Sequence, residues 1–233
     1  MGESYGNFKV GQDALIFPYI NSCNIACGFH GGDPLTIENT IVNAIKYDLR
    51  IGAHPSYPDL AGFGRREMKI PRKELFSIIK YQVAALKGMV KSKGGKLSYV
   101  KPHGALYNKM ATDLEEAKTV IYAIKEIDPR LSLMGLANTF LANISKELHI
   151  EFIPEAFADR RYNSDGTLVS RGLEGAVIEE PEAVLKQVKS IFNKGKTKSI
   201  EGDWININAE TICIHGDNPF ALDILMMLKK AFS

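Results

Sequence analysis

The sequence is poor in cysteine and tryptophan, and neither sign of charge is in excess. Three cysteines and one tryptophan occur in 233 residues, and 29 basic side chains offset 27 acidic ones. A small, odd number of cysteines argues against a disulfide framework and fits a reducing compartment. A net charge of +2 gives no basic field for nucleic acid or an anionic membrane surface. We therefore expect a cytoplasmic protein that binds neither.

Long apolar runs are also missing. No stretch reaches the ~18 residues that a membrane helix needs, and no signal peptide is expected ahead of the first motif. The 45% hydrophobic and 24% charged fractions are ordinary for a soluble globular protein. Because α/β folds of this length often form one unit, we predict a single domain over residues 1–233.

The chain does contain a regular alternation of strand-length apolar runs and segments of helical period. The predicted strands cover residues 22–26, 50–53, 96–100, 131–136, 151–154 and 211–214. The predicted helices cover residues 34–47, 72–91, 114–127, 139–148, 181–192 and 219–232. At least six such units without a linker indicate a parallel sheet. We predict an α/β fold with a closed or nearly closed β/α barrel, and an open doubly wound sheet is the alternative.

Four of the five histidines share one local setting. Each follows a short apolar run and adjoins glycine or proline, a pattern typical of a strand end; they are His30, His54, His103 and His215. In parallel α/β folds, ligands bind at the carboxyl ends of the strands. Histidine titrates near neutral pH and is a common metal ligand. We therefore predict one site that contains all four, whereas His149 lies outside the pattern.

Two of these histidines open a repeated motif. The segments His30-Gly31-Gly32-Asp33-Pro34 and His215-Gly216-Asp217-Asn218-Pro219 both place a capping Asp or Asn before proline, which indicates the start of a helix. Helix N-termini attract carboxylate and phosphate groups. We predict that Asp33, Asp217 and Asn218 contribute to binding an anionic substrate.

Cationic side chains follow the second and third predicted strands. The loop over residues 52–66 is rich in glycine and proline and ends in Arg65 and Arg66. Either arginine is suited to a bidentate pair with a carboxylate or phosphate, and we expect the other to be solvated. Lys101 and Asn108 flank the third motif histidine. A lysine in this position is suited to hold a phosphoryl oxygen or the anion that develops on an opened amide.

Two carboxylates follow the fifth predicted strand. Glu155 and Asp159 lie just ahead of a pair of arginines. Because burial and neighbouring cations tune the pKa of such groups, we predict that these residues supply the general acid and base. Cys213, inside the last predicted strand, is expected to be a small buried hydrophobe.

Taken together, these segments resemble the LamB/YcsF family. The matching stretches are residues 24–34, 52–66, 101–108, 157–160 and 215–219, in family order over nearly the whole chain. The resemblance implies a (β/α)7-type barrel related to the glycoside hydrolase and deacetylase superfamily. Family members usually begin with a strand that carries Asn and Asp ahead of the pair matched by Gly2 and Glu3. We therefore expect that first strand, and one acidic site residue, to be missing from this chain.

The same resemblance implies cleavage of the lactam of 5-oxo-L-proline to L-glutamate, the 5-oxoprolinase reaction. The reaction is coupled to ATP hydrolysis, and the chain acts as the A component together with subunits B and C. In our hypothesis ATP phosphorylates the lactam oxygen, and Lys101 with Arg65 or Arg66 neutralises the phosphoryl group. Asp159 or Glu155 then activates water, while the four motif histidines hold substrate or donate protons.

Two rival functions fit the same residues. A metal-dependent hydrolase similar to deacetylases would act on a carbohydrate or another amide, and its candidate ligands are His30, His54, His103 and His215, with a carboxylate beside them. The sequence therefore does not decide whether a divalent metal is a cofactor in addition to the co-substrate ATP. The non-enzymatic rival is a carbohydrate- or peptide-binding protein, which predicts ligand binding without turnover.

Overall fold

Parallel strands in consecutive order build the main sheet. The computed structural model describes residues 1–232. The sheet strands are β1 (Ser22–Ala26), β2 (Arg50–His54), β3 (Leu97–Val100), β4 (Ser132–Leu136), β5 (Phe152–Phe157) and, beyond a small hairpin of β6 (Lys196–Lys198) and β7 (Trp204–Asn206), β8 (Thr211–Cys213). All neighbours in the main sheet run parallel, and the two strands of the hairpin run antiparallel.

The strand order decides between the two predicted architectures. It runs β1-β2-β3-β4-β5-β8, so each strand lies beside the one before it in the sheet. A doubly wound sheet reverses its strand order at a switch point, and this sheet does not. Over residues 1–232 the sheet is a curled half-barrel of six strands, with β1 and β8 as unjoined edges. The predicted α/β barrel-type fold is confirmed in this open form, and the doubly wound alternative is wrong.

Helices connect the strands. They are α1 (Asp13–Ile16), α2 (Pro34–Lys46), α3 (Arg72–Ser92), α4 (Gly104–Thr112), α5 (Leu114–Ile127), α6 (Leu141–Glu147), α7 (Pro181–Lys194) and α8 (Ala221–Phe232), with a 3-10 turn at Phe17–Tyr19. The six predicted helices are confirmed. The periodicity does not predict α1, α4 or the β6–β7 hairpin, because such short elements carry too little pattern. No helix within residues 1–232 is long and apolar enough to cross a membrane.

One face of α3 shows what holds the outer layer in place. Leu75, Ile79, Val83, Leu86 and Val90 recur at three- or four-residue spacing, and all are fully buried. Helix α3 packs against α5, β2 and β3. Burying each of these side chains contributes about 1.5–3 kcal/mol. This layer fixes β2 and β3, whose ends carry two of the motif histidines.

Inside the curl, a glycine makes room for a tyrosine. A Cβ atom at Gly52 would lie 2.1 Å from Cε2 of Tyr99, so the ring occupies the space that any larger residue would need. The Tyr99 hydroxyl donates to the carbonyl of Cys23 at 3.1 Å. This contact joins β1, β2 and β3 just before their carboxyl ends.

The opening residues run along the edge of β1. The Met1 ammonium donates to the Asn24 carbonyl at 2.7 Å, and the Ala26 N–H donates to the Met1 carbonyl at 3.0 Å. The first four residues form no helix or strand. Its pairing with β1 brings Glu3 to the rim of the sheet, where it meets His30.

Candidate active site

A cavity of about 1730 Å³ runs along the inner face of the sheet to the carboxyl ends of its strands. Its wall contains eight of the predicted site residues: His54, Arg65, Lys101, His103, Asn108, Glu155, His215 and Asp217. The structure therefore brings residues from separate strand ends and loops to one cavity. Their chemical roles stay predictions.

At one corner of the cavity lies a compact group that we call the histidine corner: Glu3, His54 and His103, which line the wall, and His30, which is buried beside them. The His30 and His103 rings are stacked, with centroids 3.8 Å apart, and the His54 ring stands edge-on to both. Nε2 of His30 lies 3.2 Å from Oε1 of Glu3. Nε2 of His54 lies 3.0 Å from Nδ1 of His103. Three of the four predicted histidines thus lie in mutual contact.

Backbone carbonyls set the proton positions on two of these rings. Nδ1 of His54 lies 2.6 Å from the carbonyl oxygen of Lys101, and Nε2 of His103 lies 2.8 Å from that of Phe63. A carbonyl only accepts hydrogen bonds, so both ring nitrogens must carry a proton. In the neutral rings, Nε2 of His54 and Nδ1 of His103 are then both unprotonated.

Burial shapes the electrostatics of this corner. Burial lowers the pKa of His54 well below its ordinary value, and the neighbouring His103 and His30 rings add to the effect. Burial also lowers the pKa of His103 in the same direction. Burial opposes the charge of Glu3, but the Met1 ammonium and His30 outweigh it, and the pKa of Glu3 is well below its usual range. The corner therefore combines the neutral rings of His54 and His103 with an ionised carboxylate.

Another part of the cavity wall holds a buried lysine. Nζ of Lys101 lies 2.6 Å from Oε1 of Glu155 and 3.1 Å from Sγ of Cys213. The Tyr107 hydroxyl donates to the other Glu155 oxygen at 3.0 Å. Burial alone would lower the pKa of Lys101, but Cys213 and Glu155 stabilise the ammonium, and the pKa is raised. A fixed positive charge therefore lies on the cavity wall.

Beside this lysine, His215 is held by a buried carboxylate. Nδ1 of His215 lies 2.8 Å from Oδ1 of Asp159, and the His215 backbone N–H donates to Oδ2 at 3.2 Å. Burial opposes the charge of Asp159, yet His215 and Asn218 hold its pKa below the ordinary value. Phe157 stacks on the imidazole with centroids 5.4 Å apart. Only His215 of this pair reaches the cavity, so the carboxylate orients the ring from behind.

Arg65 lies at the cavity mouth. Its Nη2 donates to Oδ2 of Asp217 at 2.5 Å, and Arg171 approaches the same oxygen at 3.4 Å. About a third of the Arg65 side chain is exposed. The guanidinium groups of Arg65 and Arg171 therefore share one carboxylate, so the mouth of the cavity carries an excess of positive charge.

Three predicted substrate-binding residues lie off the cavity wall. Arg66 is bound to Asp59 within its own loop, so its guanidinium is already paired. Asp33 caps α2, where the Thr36 N–H lowers its pKa to about 2. Asn218 is buried behind Asp159. Local caps and pairs already use these side chains, and their part in substrate binding stays a prediction.

Three residues of the site were not predicted as such. Glu3 belongs to the histidine corner, and the Gly-Glu pair of the family's opening motif was the available signal. Tyr107 bonds Glu155 and lies within the Lys101 motif. Cys213 is half-buried on the cavity wall and contacts Lys101, so its interpretation as a plain buried hydrophobe is wrong. Burial raises its pKa to about 12.

A metal ion has one candidate set of ligands among the described residues. Glu3, His54 and His103 each offer one donor atom, and these atoms lie within 4.8 Å of one another. His215 is paired with Asp159 instead. Two of the four candidate histidines thus belong to this group with a carboxylate as the third donor, and metal binding stays a prediction.

Comparison with known proteins places the chain in a family. The model of the LamB/YcsF family matches residues 1–233. The chain belongs to the LamB/YcsF family. Among similar LamB/YcsF proteins, the A component of 5-oxoprolinase from Acinetobacter baylyi is 48% identical over 99% of this chain and 91% of that one. The A component of 5-oxoprolinase from Pyrococcus horikoshii is 46% identical over 99% of this chain and 90% of that one.

Solved structures agree with this membership. The lactam utilization protein of Thermus thermophilus superposes with a TM-score of 0.91 at 38% identity, over 99% of this LamB/YcsF chain and 94% of that one. A putative cellobiose-phosphate cleavage protein of Enterococcus faecalis superposes with a TM-score of 0.53 at 12% identity, over 94% and 87% of the chains. The second likeness concerns the fold alone.

Proposed function

We propose that this chain is the A component of a 5-oxoprolinase, which opens the lactam of 5-oxo-L-proline to L-glutamate. The observation that carries the proposal is the match to relatives of that name, at 46–49% identity over nearly the whole chain. The cavity supports it, because its wall combines a mouth arginine for a carboxylate, a fixed ammonium and an oriented imidazole.

The proposal includes coupling to ATP and assembly with subunits B and C. A lactam is an unreactive amide, and phosphorylation of its oxygen turns that oxygen into part of a leaving group. Lys101 and Arg65 then lie where they stabilise the added negative charge, by the principle that fixed donors in a water-poor site stabilise charge as it develops. Arg66 has no part in this role because it lies off the cavity wall, bound to Asp59.

The geometry favours His215 as the base that activates water. Asp159 holds Nδ1 of His215, so the lone pair of Nε2 is free to take a proton from water. The hydroxyl oxygen then adds to the lactam carbon, and the C–N bond breaks as the ring nitrogen takes up a proton. A second water hydrolyses the acyl phosphate that results, which releases phosphate and the glutamate carboxylate. Glu155 is bound to Lys101 and Tyr107, and it positions the ammonium instead.

The experiment is ATP-dependent release of glutamate from 5-oxoproline by this chain mixed with its two partner proteins. We expect His103→Ala and Asp159→Ala to reduce the rate strongly. His149→Asn is the matched control, because this histidine is exposed and remote from the cavity wall. If both site variants retain the full rate, the site assignment is wrong.

A second candidate function is metal-dependent hydrolysis of another amide, such as an N-acetylated carbohydrate. The observation in its favour is the Glu3, His54 and His103 donor group on the cavity wall. It predicts ATP-independent hydrolysis that a chelator abolishes. If the protein hydrolyses none of these substrates without ATP, the metal-dependent function is excluded and the 5-oxoprolinase proposal remains.

A further inference from the structure

Two ring nitrogens face each other in the histidine corner without a proton to share. Nε2 of His54 and Nδ1 of His103 are 3.0 Å apart, a hydrogen-bond distance. The carbonyls of Lys101 and Phe63 already take the N–H of each ring, so in the neutral rings both facing nitrogens are acceptors. Two lone pairs at this distance repel one another unless a cation lies between or beside them.

We propose that Glu3, His54 and His103 bind one divalent transition-metal ion, with Zn²⁺ the best-matched ion. The donor atoms are Oε1 of Glu3, Nε2 of His54 and Nδ1 of His103. Two imidazoles and one carboxylate form a donor set that zinc and similar borderline ions accept. The inference stands on the ring geometry and does not depend on the proposed activity.

The spacing of the donor atoms fits such an ion with a small adjustment. Two ligand atoms about 2.1 Å from a metal lie about 3.0 Å apart at a right angle and about 3.4 Å apart at a tetrahedral angle. The two ring nitrogens are 3.0 Å apart, and Oε1 of Glu3 lies 3.9 Å from Nδ1 of His103. Since all three donor atoms lie within 4.8 Å of one another, a shift of about 1.5 Å or less by the Glu3 side chain completes the set.

The partners behind the ligands are also those of a metal site. Metal-binding histidines almost always donate their second N–H to a carbonyl or carboxylate, which fixes the tautomer. His54 and His103 both do so, to the carbonyls of Lys101 and Phe63. His30 plays the same part for the carboxylate, since its Nε2 lies 3.2 Å from Oε1 of Glu3.

A second observation comes from His30 itself. Its ring is 1% exposed and stacked on His103, and its Nδ1 is a buried polar atom with no hydrogen-bond partner among residues 1–232. Burying such an atom is costly unless its environment supplies a compensating interaction. A metal-bound water at this corner would supply one. The three ligands also line the cavity, so one side of the ion faces the reactants.

The test is metal binding by the purified full chain. Protein treated with a chelator and dialysed is titrated with Zn²⁺ by calorimetry, and Co²⁺ is added to a second sample to record its visible absorption. We expect one equivalent of Zn²⁺ and a Co²⁺ band whose position reports nitrogen and oxygen ligands. His54→Gln and His103→Gln should each weaken Zn²⁺ binding by more than about 100-fold, beyond the 10–100-fold typical of outer partners. Glu3→Gln should weaken it by at least about tenfold.

The control is His149→Asn, an exposed histidine outside the corner, which should leave the Zn²⁺ affinity unchanged. Circular dichroism of each variant separates loss of the site from loss of the fold, and the Co²⁺ band of the unaltered protein does not depend on any variant. The inference is overturned if the unaltered protein binds less than about 0.1 equivalent at micromolar Zn²⁺. It is equally overturned if the corner variants bind as tightly as the control. Glutamate release by metal-free protein with its partners would leave the proposed function intact.

Discussion

Two parts of the cavity wall differ in whether their charged and polar groups are already paired. One part of the wall is formed by Lys101, Glu155 and His215, with Asp159 behind His215, and we call it the charge-paired wall; there each charged group meets a partner of opposite charge or a hydrogen-bond donor. In the histidine corner, two neutral rings turn acceptor nitrogens toward each other beside a carboxylate. The charge-paired wall is complete as folded, whereas the corner presents acceptors that a cation would satisfy.

This difference separates the part of the cavity that is arranged in advance for the reaction from the part that is suited to bind a cation. Groups that are already paired keep their geometry while a reaction proceeds, which is how a site stabilises developing charge without reorganising. A set of acceptors without a cation instead gains free energy when a cation arrives. Altering one wall while measuring the properties of the other tests this division.

The largest effect is expected at His215. His215→Gln removes the proposed base and should lower the rate of glutamate release by about 10²–10⁴-fold, or about 3–5 kcal/mol in the activation barrier. Asp159→Asn should lower the same rate, because Asn also offers an N–H to the ring and disturbs its tautomer. The assay uses the chain with its partner proteins and ATP. An unchanged rate with either variant, while Zn²⁺ binding also persists, would refute the role of this wall.

The second-largest effect is expected at the buried ion pair of Lys101 and Glu155. Both side chains are at most 5% exposed, so Lys101→Met leaves a carboxylate buried without its cation. We expect the free energy of unfolding in urea to fall by about 3–5 kcal/mol. The double variant Lys101→Met/Glu155→Leu should recover most of that loss, since replacing both partners by apolar groups is often nearly neutral. Equal stability of the single and double variants would contradict the pairing.

The sequence predicted the fold well because its signals are local. Alternating apolar runs and helical periods mark strands and helices without any knowledge of the neighbours, as for β1 to β5. The strand-end histidines were found in the same way, from the glycine or proline beside His30, His54 and His103. Fold rules then placed them on one rim.

The arrangement within the rim could not be predicted, because it depends on segments far apart in the chain. The proton positions of His54 and His103 are set by the carbonyls of Lys101 and Phe63, and no pattern in the sequence reports such contacts. The choice between Arg65 and Arg66 depends on Asp59, which binds one of them inside the loop. These are contacts of the folded chain, whereas sequence periodicity reports only local structure.

The pH dependence of stability should come from the histidine corner. Burial lowers the pKa of His54 and His103, so between pH 6.5 and 5 the unfolded chain takes up protons that the folded chain does not. Their contribution is fully present above pH 6.5 and is lost as the pH falls. The loss is at most about 2.7 kcal/mol per pH unit for two groups.

The measurement is urea unfolding of chelator-treated protein at several pH values. The double variant His54→Gln/His103→Gln should show a flatter profile in this window. The carboxylates with lowered pKa, such as Glu3 and Asp159, titrate below it and do not interfere. Parallel profiles of the variant and the unaltered protein would show that the corner is not the source.

The smallest expected effect is a difference in KM between variants of Arg65 and Arg66. Arg65 lies on the cavity wall and shares Asp217 with Arg171, so part of its hydrogen-bonding capacity is free for a substrate carboxylate. Arg65→Ala should raise KM for 5-oxoproline about tenfold, or about 1.4 kcal/mol, with a smaller change in kcat. Arg66→Ala is the matched comparison: its side chain is mostly exposed and paired with Asp59, so KM should stay within about twofold. If the two variants shift KM equally, Arg65 does not bind the substrate carboxylate in preference to Arg66, and that carboxylate must bind elsewhere in the cavity.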